Sequence, residues 1–390
     1  MSDLKITDVR TRIVDGGRMN WVIVIIETDA GITGVGDATA ERRELAVAAS
    51  VEAMTPYLMG KDPFQVEHHA ETLARDSYWR TGVVVRSAIS GVEAALIDIK
   101  GKALGVPAYE LLGGKCRDEI RVYANHWAHG PESPEDVAGF IEAPLRRGFT
   151  AVKWDPFGQA WLQLPPREFN AALAQMRAAR AEAGPNIDLL IEGHGRFDIP
   201  TAIRIGQAIT EVDPLFFEEP TPPDNINALR QVRAGVPVPI AAGERYYEKH
   251  RFLELIAAEA VDWLQPDTCH AGGLTEMKKL AALSQAAFLP FAPHNPMGPV
   301  GNAMAMQLAA CVPNFAILET MMVDVPWRSK VVHEDTTLKD GALSISDAPG
   351  LGITFDEAAA AEHPYAPKTP GHFVKRVRRH DLVPWYREAQ

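Results

Sequence analysis

The residues with the clearest chemical potential lie in segment 190–198, LIEGHGRFD, where one glycine separates Glu192 from His194. On a β-strand, residues two apart point to the same face, so this carboxylate and this imidazole are predicted to project into one site. Two later apolar segments also end in acidic residues. Glu218 in LFFEEP lies 26 residues after Glu192, and Glu244 in PIAAGE lies 26 residues after Glu218. The repeat predicts successive strand–helix units that carry three carboxylates to one rim.

Polar side chains also end the other predicted strands of this repeat. They are Lys153 and Asp155 on the second strand, Asp267 on the sixth, His294 on the seventh and Glu319 on the eighth. A carboxylate behind an imidazole fixes its tautomer and raises its basicity, so Asp267 and His294 are predicted to form a general base. His194, across the rim, is predicted to be the general acid. Lys153 would add positive charge, and Glu319 would hydrogen-bond a developing enolate.

Three carboxylates with no thiolate nearby favour a hard cation that prefers oxygen ligands. We therefore predict that Glu192, Glu218 and Glu244 bind one Mg²⁺ per subunit, with Mn²⁺ as the alternative. If a substrate carboxylate docks at this ion, the ion stabilises the dianion that forms when the adjacent carbon loses its proton.

The elements that position these residues alternate regularly from residue 119 to residue 326. Eight apolar strands alternate there with seven helical segments, which predicts parallel βαβ units closed into a modified (β/α)7β barrel of the TIM type. Residues 1–118 combine Gly-turned strands with long helices and predict an α+β capping domain. Residues 327–390 are predicted to return to that capping domain, so the fold class is α/β.

Composition excludes several other classes of protein. The chain has 390 residues, a formal net charge of −12 and three cysteines. An acidic chain without a Lys/Arg-rich block is a poor candidate for binding nucleic acid or an anionic membrane. The unpaired cysteine pattern favours a reducing compartment. We see no signal peptide and no run of about 18 apolar residues, so we expect a cytoplasmic protein that acts on a small molecule.

Several motifs together resemble the enolase superfamily, and within it the mandelate racemase-like group. The stretch SAISGVEAALIDIKGKALGVPAYELLGG resembles the helical part of the capping domain, and FFEEP, AAGE, LQPD and APHNP resemble the barrel motifs. The acidic-x-His pair in EGHGRF is similar to that of galactonate dehydratases and related sugar-acid dehydratases. The resemblance implies a homo-oligomer, from dimer to octamer. It also implies dehydration of an aldonic or aldaric acid to a 2-keto-3-deoxy sugar acid.

Two positions depart from the pattern of the group. Glu192 occupies a ligand position that is usually Asp, which lengthens the reach of the carboxylate. Lys153-Trp154-Asp155 stands where racemases carry Lys-x-Lys, which argues for dehydration over racemisation. Two alternatives stay open: an epimerase or cycloisomerase that shares the enolate step, and a non-catalytic member that binds sugar acids or a partner protein.

Substrate contacts are predicted from loops near the rim. Arg18, Asn20 and Trp21 lie in the segment GGRMNW, because loops of the capping domain set specificity in this group. His126 follows the first barrel strand and Asp155 the second, so both are further candidates for substrate binding.

Overall fold

The chain begins with a three-stranded antiparallel sheet, followed by four helices. The computed structural model describes residues 3–76, 78–128, 133–322 and 324–368, and all statements below concern these residues. The elements are β1 (Ile6–Asp15), β2 (Asn20–Thr28), β3 (Thr33–Asp37), α1 (Glu44–Leu58), α2 (Val66–Arg75), α3 (Val83–Leu104) and α4 (Ala108–Leu111). The strands lie in the order β1-β2-β3. Nearly every residue of β2 is buried, because the strand is central in the sheet and covered on its faces.

Helix α3 is also largely buried. It packs so closely on β3 that a Cβ atom at Gly36 would lie 2.1 Å from the carbonyl oxygen of Gly91. Only glycine permits this approach of helix and strand. Although α3 is apolar, none of the helices in the described ranges has the length and hydropathy needed to span a bilayer.

A parallel sheet closes around the centre of the second part. Its strands are β4 (Glu119–Asn125), β5 (Ala151–Trp154), β6 (Asp188–Glu192), β7 (Phe216–Glu218), β8 (Ile240–Ala242), β9 (Trp263–Leu264) and β10 (Leu318–Met321). The order is β4-β5-β6-β7-β8-β9, and β10 pairs with β4. The intervening helices are α5 (Pro134–Arg146), α6 (Pro166–Ala183), α7 (Ile199–Ala208), α8 (Ile226–Gly235), α9 (Lys249–Ala257), α10 (Leu274–Ala286) and α11 (Pro299–Cys311). A short 3₁₀ helix, Ile209–Val212, follows α7.

The seventh position of the barrel differs from the prediction of a regular strand. Isolated parallel bridges join Phe291 to Leu264 and His294 to Asp267. Three prolines interrupt segment 288–296, FLPFAPHNP, and proline has no N–H to donate to a strand ladder. The α/β barrel prediction is confirmed, with this one segment bridged instead of regularly paired.

Buried side chains fill the inside of the barrel below the rim. They come from seven of the eight strand positions: Tyr123, Ala151, Leu190, Phe216, Ala241, Ala292 and Ile317. This packed layer excludes water from the floor of any site at the rim and strengthens electrostatic interactions there.

The segment after the barrel contacts both parts of the chain. Its elements are α12 (Arg328–Val331), β11 (Val332–Glu334), β12 (Leu338–Lys339), β13 (Ala342–Ser344), β14 (Ile353–Phe355) and α13 (Glu357–Ala361). The β12–β13 hairpin adds to β4 of the barrel, while β11 pairs with β14. Further along, Val14 bridges to Pro364, and Glu357 forms ion pairs with Arg10 and Arg12. The domain boundaries at 118 and 326 stay a prediction, and residues 369–390 of the last segment lie outside the described residues.

One face of α3 joins the capping part to the loop between β9 and α10. Arg86 donates to the carbonyl oxygen of Ala271 at 2.8 Å, and the Ser90 hydroxyl accepts from the backbone N–H of Gly272 at 2.8 Å. Glu93 accepts the first N–H groups of α10. Because residues 86, 90 and 93 lie one turn apart, a single helix face holds the whole loop.

Candidate active site

The three glutamates predicted as metal ligands lie together at the rim. Glu192 and Glu218 are the last residues of β6 and β7, where they are register partners, and Glu244 lies two residues beyond β8. One oxygen of each carboxylate lies within 4.8 Å of the others. The repeated spacing thus corresponds to the carboxyl ends of three neighbouring strands, although Glu244 lies beyond the register partner of Glu218, which is Ala241.

Burial and mutual repulsion raise the pKa values of two of these carboxylates, whereas His294 and Arg245 outweigh burial and lower the pKa of Glu244. Burial, with repulsion from Glu244, raises the pKa of Glu192 to about 7 against the opposing effect of Lys153. Burial and the charge of Glu192 raise the pKa of Glu218 well above its ordinary value. Three crowded oxygen donors without sulfur suit a hard divalent cation such as Mg²⁺, so the donor set fits the predicted ion.

Lys153 lies beneath the cluster and is almost fully buried. Its Nζ atom donates to Glu218 at 2.7 Å and lies 3.5 Å from both Glu192 and Glu319. Burial alone would lower the pKa of Lys153, but the charges of Glu218 and Glu319 outweigh burial and raise it well above its ordinary value. The other oxygen of Glu218 accepts from the side-chain amide of Gln265 at 2.9 Å. We did not predict Gln265, although it lies two residues before Asp267 in LQPD.

His294 and Asp267 form a close pair. The His294 Nδ1 atom lies 2.6 Å from Asp267 Oδ2, and the other Asp267 oxygen accepts from the backbone N–H of Cys269 at 2.6 Å. The His294 Nε2 atom faces the cluster, 3.1 Å from Glu244. Burial alone would lower the pKa of His294, but the charges of Glu244 and Glu319 raise it to about 10. A cation at Glu244 would compete with His294 for this carboxylate and so favour the neutral imidazole.

Glu319 is fully buried and held by several donors. It accepts from the backbone N–H of Asn295 at 2.9 Å and from the side-chain amide of Asn125. Burial alone would raise its pKa, but Lys153 and His294 outweigh burial and lower the pKa to about 2. With Lys153 and His294 both charged, the ionised form of Glu319 is favoured, and that form accepts hydrogen bonds from its neighbours.

His194 reaches the site by a different backbone path from the one we predicted. Strand β6 ends at Glu192, and His194 has a φ of 49°, so strand alternation does not determine its direction. Its backbone N–H donates to the Glu192 carboxylate. Its Nδ1 atom lies 2.7 Å from Asp155 Oδ2, and the remaining Asp155 oxygen accepts from Arg196. The carboxylate that we predicted to bind substrate is thus paired with protein groups.

The predicted substrate-binding residues of the capping loop make contacts within the protein. Arg18 donates to the carbonyl oxygen of Pro296 at 3.0 Å, in the barrel loop that follows His294. The buried amide of Asn20 exchanges two hydrogen bonds of 3.0 Å with the backbone of Ala366. Trp21 is also buried and packs on Gly298, where a Cβ atom would lie 2.6 Å from its ring. Arg18 and Trp21 thus connect the capping loop to the barrel loop that follows His294, and Asn20 connects it to the C-terminal segment.

His126 and a pair of charged residues complete the rim. His126 follows β4 with a φ of 56°, and its backbone N–H donates to the Asn125 side chain at 2.6 Å. Arg245 lies 2.6 Å from the buried Glu219 and 3.5 Å from Glu244. Burial raises the pKa of Glu219 to about 8 despite Arg245. The ion pair places a cation next to the third predicted ligand.

Comparison with known proteins agrees with this geometry. Residues 5–113 match the mandelate racemase / muconate lactonizing enzyme N-terminal domain, and residues 136–359 match the enolase C-terminal domain-like family. A D-galactonate dehydratase of Variovorax paradoxus is 35% identical over 367 residues, which cover 92% of this chain and 94% of that protein. A D-xylonate dehydratase of Haloferax volcanii is 34% identical over 371 residues, covering 93% of this chain and 89% of that protein.

A solved structure has the same fold along nearly its whole length. It is a mandelate racemase/muconate lactonizing enzyme-like protein from Rubrobacter xylanophilus, with a TM-score of 0.87 and 35% identity. The match covers 93% of this chain and 98% of that one. The resemblance predicted from the sequence motifs is thereby confirmed, and the chain belongs to the enolase superfamily, in its mandelate racemase and muconate lactonizing enzyme group.

Proposed function

We propose that this protein is a Mg²⁺-dependent dehydratase that converts an aldonic or aldaric sugar acid to a 2-keto-3-deoxy sugar acid. One observation carries the proposal: the imidazoles of His294 and His194 are each hydrogen-bonded to a carboxylate next to the glutamate cluster. His294 contacts the cluster through Nε2, and His194 contacts it through its backbone N–H. Loss of water requires one group to remove a proton and another to protonate the leaving hydroxyl. The names of the D-galactonate and D-xylonate dehydratases support the same substrate class.

His294 is the proposed base. Its Nε2 atom would take the proton from the carbon next to the substrate carboxylate. Asp267 accepts from Nδ1 at 2.6 Å, so it orients the ring and stabilises the imidazolium that forms. The backbone N–H of Cys269 holds Asp267 in turn.

His194 is the proposed acid. It follows the third barrel strand, whereas His294 lies at the seventh position, so the two imidazoles belong to opposite sides of the eight-membered ring. After the first proton is removed, His194 would donate a proton to the β-hydroxyl. The carbon–oxygen bond breaks, water leaves, and the enol tautomerises to the 2-keto acid.

Charged residues around the cluster complete the site. Glu192, Glu218 and Glu244 would hold the cation, which would supply positive charge for the substrate carboxylate as negative charge develops there. Lys153 adds a fixed positive charge from below. Glu319 lies 3.5 Å from Lys153 and 3.9 Å from His294, where its carboxylate would stabilise positive charge on both, and we keep it as the proposed hydrogen-bonding partner of the enolate.

A substrate screen tests the proposal. The purified protein with Mg²⁺ is incubated with a library of aldonic and aldaric acids, and 2-keto acid formation is followed with semicarbazide. We expect a substrate whose turnover disappears with EDTA. The H294N variant should lose about 10²- to 10⁴-fold or more in kcat while it still binds Mg²⁺ in calorimetry. The matched control, H333N, replaces an exposed histidine of β11 and should keep full activity.

Two results would count against the proposal. Full activity of H294N would refute the assignment of the base. Exchange of the α-proton with solvent deuterium, with no loss of water from any acid tested, would indicate an epimerase or cycloisomerase instead.

A further inference from the structure

The acid and the base of the proposed reaction have the same construction. In each, a rim carboxylate lies within hydrogen-bonding distance of the imidazole Nδ1 atom: 2.6 Å for Asp267 and His294, and 2.7 Å for Asp155 and His194. In each, the second carboxylate oxygen accepts a hydrogen bond from a backbone N–H. The donor is Cys269 for Asp267, at 2.6 Å, and Phe157 for Asp155, at 2.9 Å. The second pair arises because Asp155 directly follows Trp154, the last residue of β5.

Arg196 anchors the Asp155 carboxylate. Its side chain has no exposed surface, and its guanidinium donates to Asp155 Oδ1 and, at 2.8 Å, to the carbonyl oxygen of Gly158. The rings of Phe157 and Phe197 lie 5.9 Å and 5.4 Å from the guanidinium carbon. A buried cation in aromatic surroundings, hydrogen-bonded to a carboxylate, is held in one geometry.

The charge of Asp155 agrees with this arrangement. Burial alone would raise its pKa, but the hydrogen bond from His194 and the charges of His194 and Arg196 outweigh burial and lower the pKa. Asp155 is therefore ionised and accepts hydrogen bonds through both of its oxygens. From the sequence we had expected this carboxylate to bind the substrate. Because protein groups engage both of its oxygens, it is better suited to holding His194 than to binding a sugar hydroxyl.

We propose that Asp155 is a positioning residue that accepts the Nδ1–H of His194 and thereby directs its Nε2–H toward the leaving β-hydroxyl. The inference rests on the proposed dehydratase function for its catalytic meaning, although the orientation of the ring is a property of the protein alone. In the step concerned, the Nε2 proton of the His194 imidazolium passes to the hydroxyl oxygen. The carbon–oxygen bond breaks, and water leaves. The neutral imidazole keeps its proton on Nδ1.

The D155N variant separates this role from a general structural one. Arg196 and the N–H of Phe157 both donate to Oδ1, so they retain the oxygen of the new amide and turn its NH₂ group toward His194. Nδ1 must then accept a hydrogen bond, which forces the tautomer with the proton on Nε2 and prevents formation of a stable imidazolium. The size and packing of the side chain are unchanged.

The first measurement needs no substrate. Nitrogen NMR of the Mg²⁺-loaded full-length protein, with ¹⁵N-labelled histidine and the His194 signal assigned from H194N, reports which ring nitrogen carries the proton. We expect Nδ1–H in the wild type and loss of that signature in D155N. A wild type without Nδ1–H, or an unchanged His194 signature in D155N, would overturn the proposal whether or not a substrate is known.

The second measurement uses the sugar acid found in the screen. D155N should lose about 10²- to 10⁴-fold in kcat for dehydration, while α-proton exchange with D₂O and KM change by less than about threefold. A 3-deoxy-3-fluoro analogue needs no proton on its leaving group, so its rate should be nearly equal in D155N and the wild type. Equal losses for the hydroxyl and fluoro substrates would contradict the role of Asp155.

The control is D188N, at the opposite end of β6, where Asp188 pairs with Arg121 at 2.5 Å on the surface. It should match the wild type in both measurements. A screen without any product would refute the dehydratase proposal, and the NMR result would still decide whether Asp155 orients His194.

Discussion

Glu93 provides a test of how the capping helix holds the loop that follows β9. Its carboxylate has no exposed surface and accepts from the backbone N–H groups of Leu274 at 2.7 Å and Thr275 at 3.0 Å, at the start of α10. These are N–H groups that lack partners within the helix, so Glu93 acts as a cap supplied from another part of the chain. The perturbation is E93Q, which keeps the shape of the side chain and cannot ionise.

The size of the effect follows from the pKa of Glu93. Burial outweighs the hydrogen bonds from Thr275 and raises this pKa from 4.5 to about 7. The folded protein therefore binds the proton more tightly than the unfolded chain. The resulting stability is fully present below about pH 4.5 and is lost as the pH rises through about 7. At about 1.4 kcal/mol per pKa unit, the wild type should lose about 3 kcal/mol from this group.

The assay compares the free energy of unfolding in urea, with excess Mg²⁺, at about pH 5 and about pH 8. E93Q should be destabilised by about 1–3 kcal/mol at the lower pH, because one N–H of α10 then faces an amide NH₂ group. The difference in free energy of unfolding between the wild type and E93Q should become smaller by about 2–3 kcal/mol at the higher pH, because the wild type then carries a buried charge at Glu93.

Other buried carboxylates titrate in the same range, but they are common to both proteins and cancel in the difference. The control E52Q replaces an exposed glutamate of α1 and should differ from the wild type by the same amount at both pH values. If E93Q and the wild type lose stability in parallel between the two pH values, the proposed burial of a titrating Glu93 is wrong.

Two further variants test the glutamate cluster and the C-terminal segment. E218Q removes a charged oxygen from the cluster and should weaken Mg²⁺ binding by more than about tenfold in calorimetry. Unchanged affinity would exclude Glu218 as a ligand. N20A removes both hydrogen bonds to Ala366 and should lower the free energy of unfolding by about 1–3 kcal/mol. The N20A variant should also be cleaved faster by protease in the segment around Ala366. If N20A resists cleavage there as well as the wild type does, Asn20 does not hold this segment.

Several features of the protein could be predicted from local patterns. Alternating apolar strands and helices predicted the barrel, because consecutive parallel strands need crossover helices and eight such units close. The common spacing of Glu192, Glu218 and Glu244 predicted that they would meet, because the ends of neighbouring parallel strands share one rim. The same rule predicted the approach of Asp267 and His294.

The surroundings of the site could not be predicted in the same way. Gln265 and Asn295 have no spacing that distinguishes them from other polar residues, and their contacts with Glu218 and Glu319 depend on how the strands are staggered. Asn20 was expected at the substrate but lies against Ala366, which is remote in the chain. A contact between distant segments leaves no local signal in either of them.

The sequence by itself determined the strand-end chemistry, because secondary-structure periodicity and barrel geometry are local rules repeated along the chain. The sequence also predicted that Asp267 serves His294, but the tertiary structure decided which carboxylate serves His194. Strand β6 ends at Glu192, and His194 adopts a left-handed conformation outside the strand. The direction of its ring is then set by Asp155, the residue after the neighbouring strand β5, and by Arg196 behind it. Backbone dihedral angles and hydrogen bonds between strands, not residue spacing, determine that orientation.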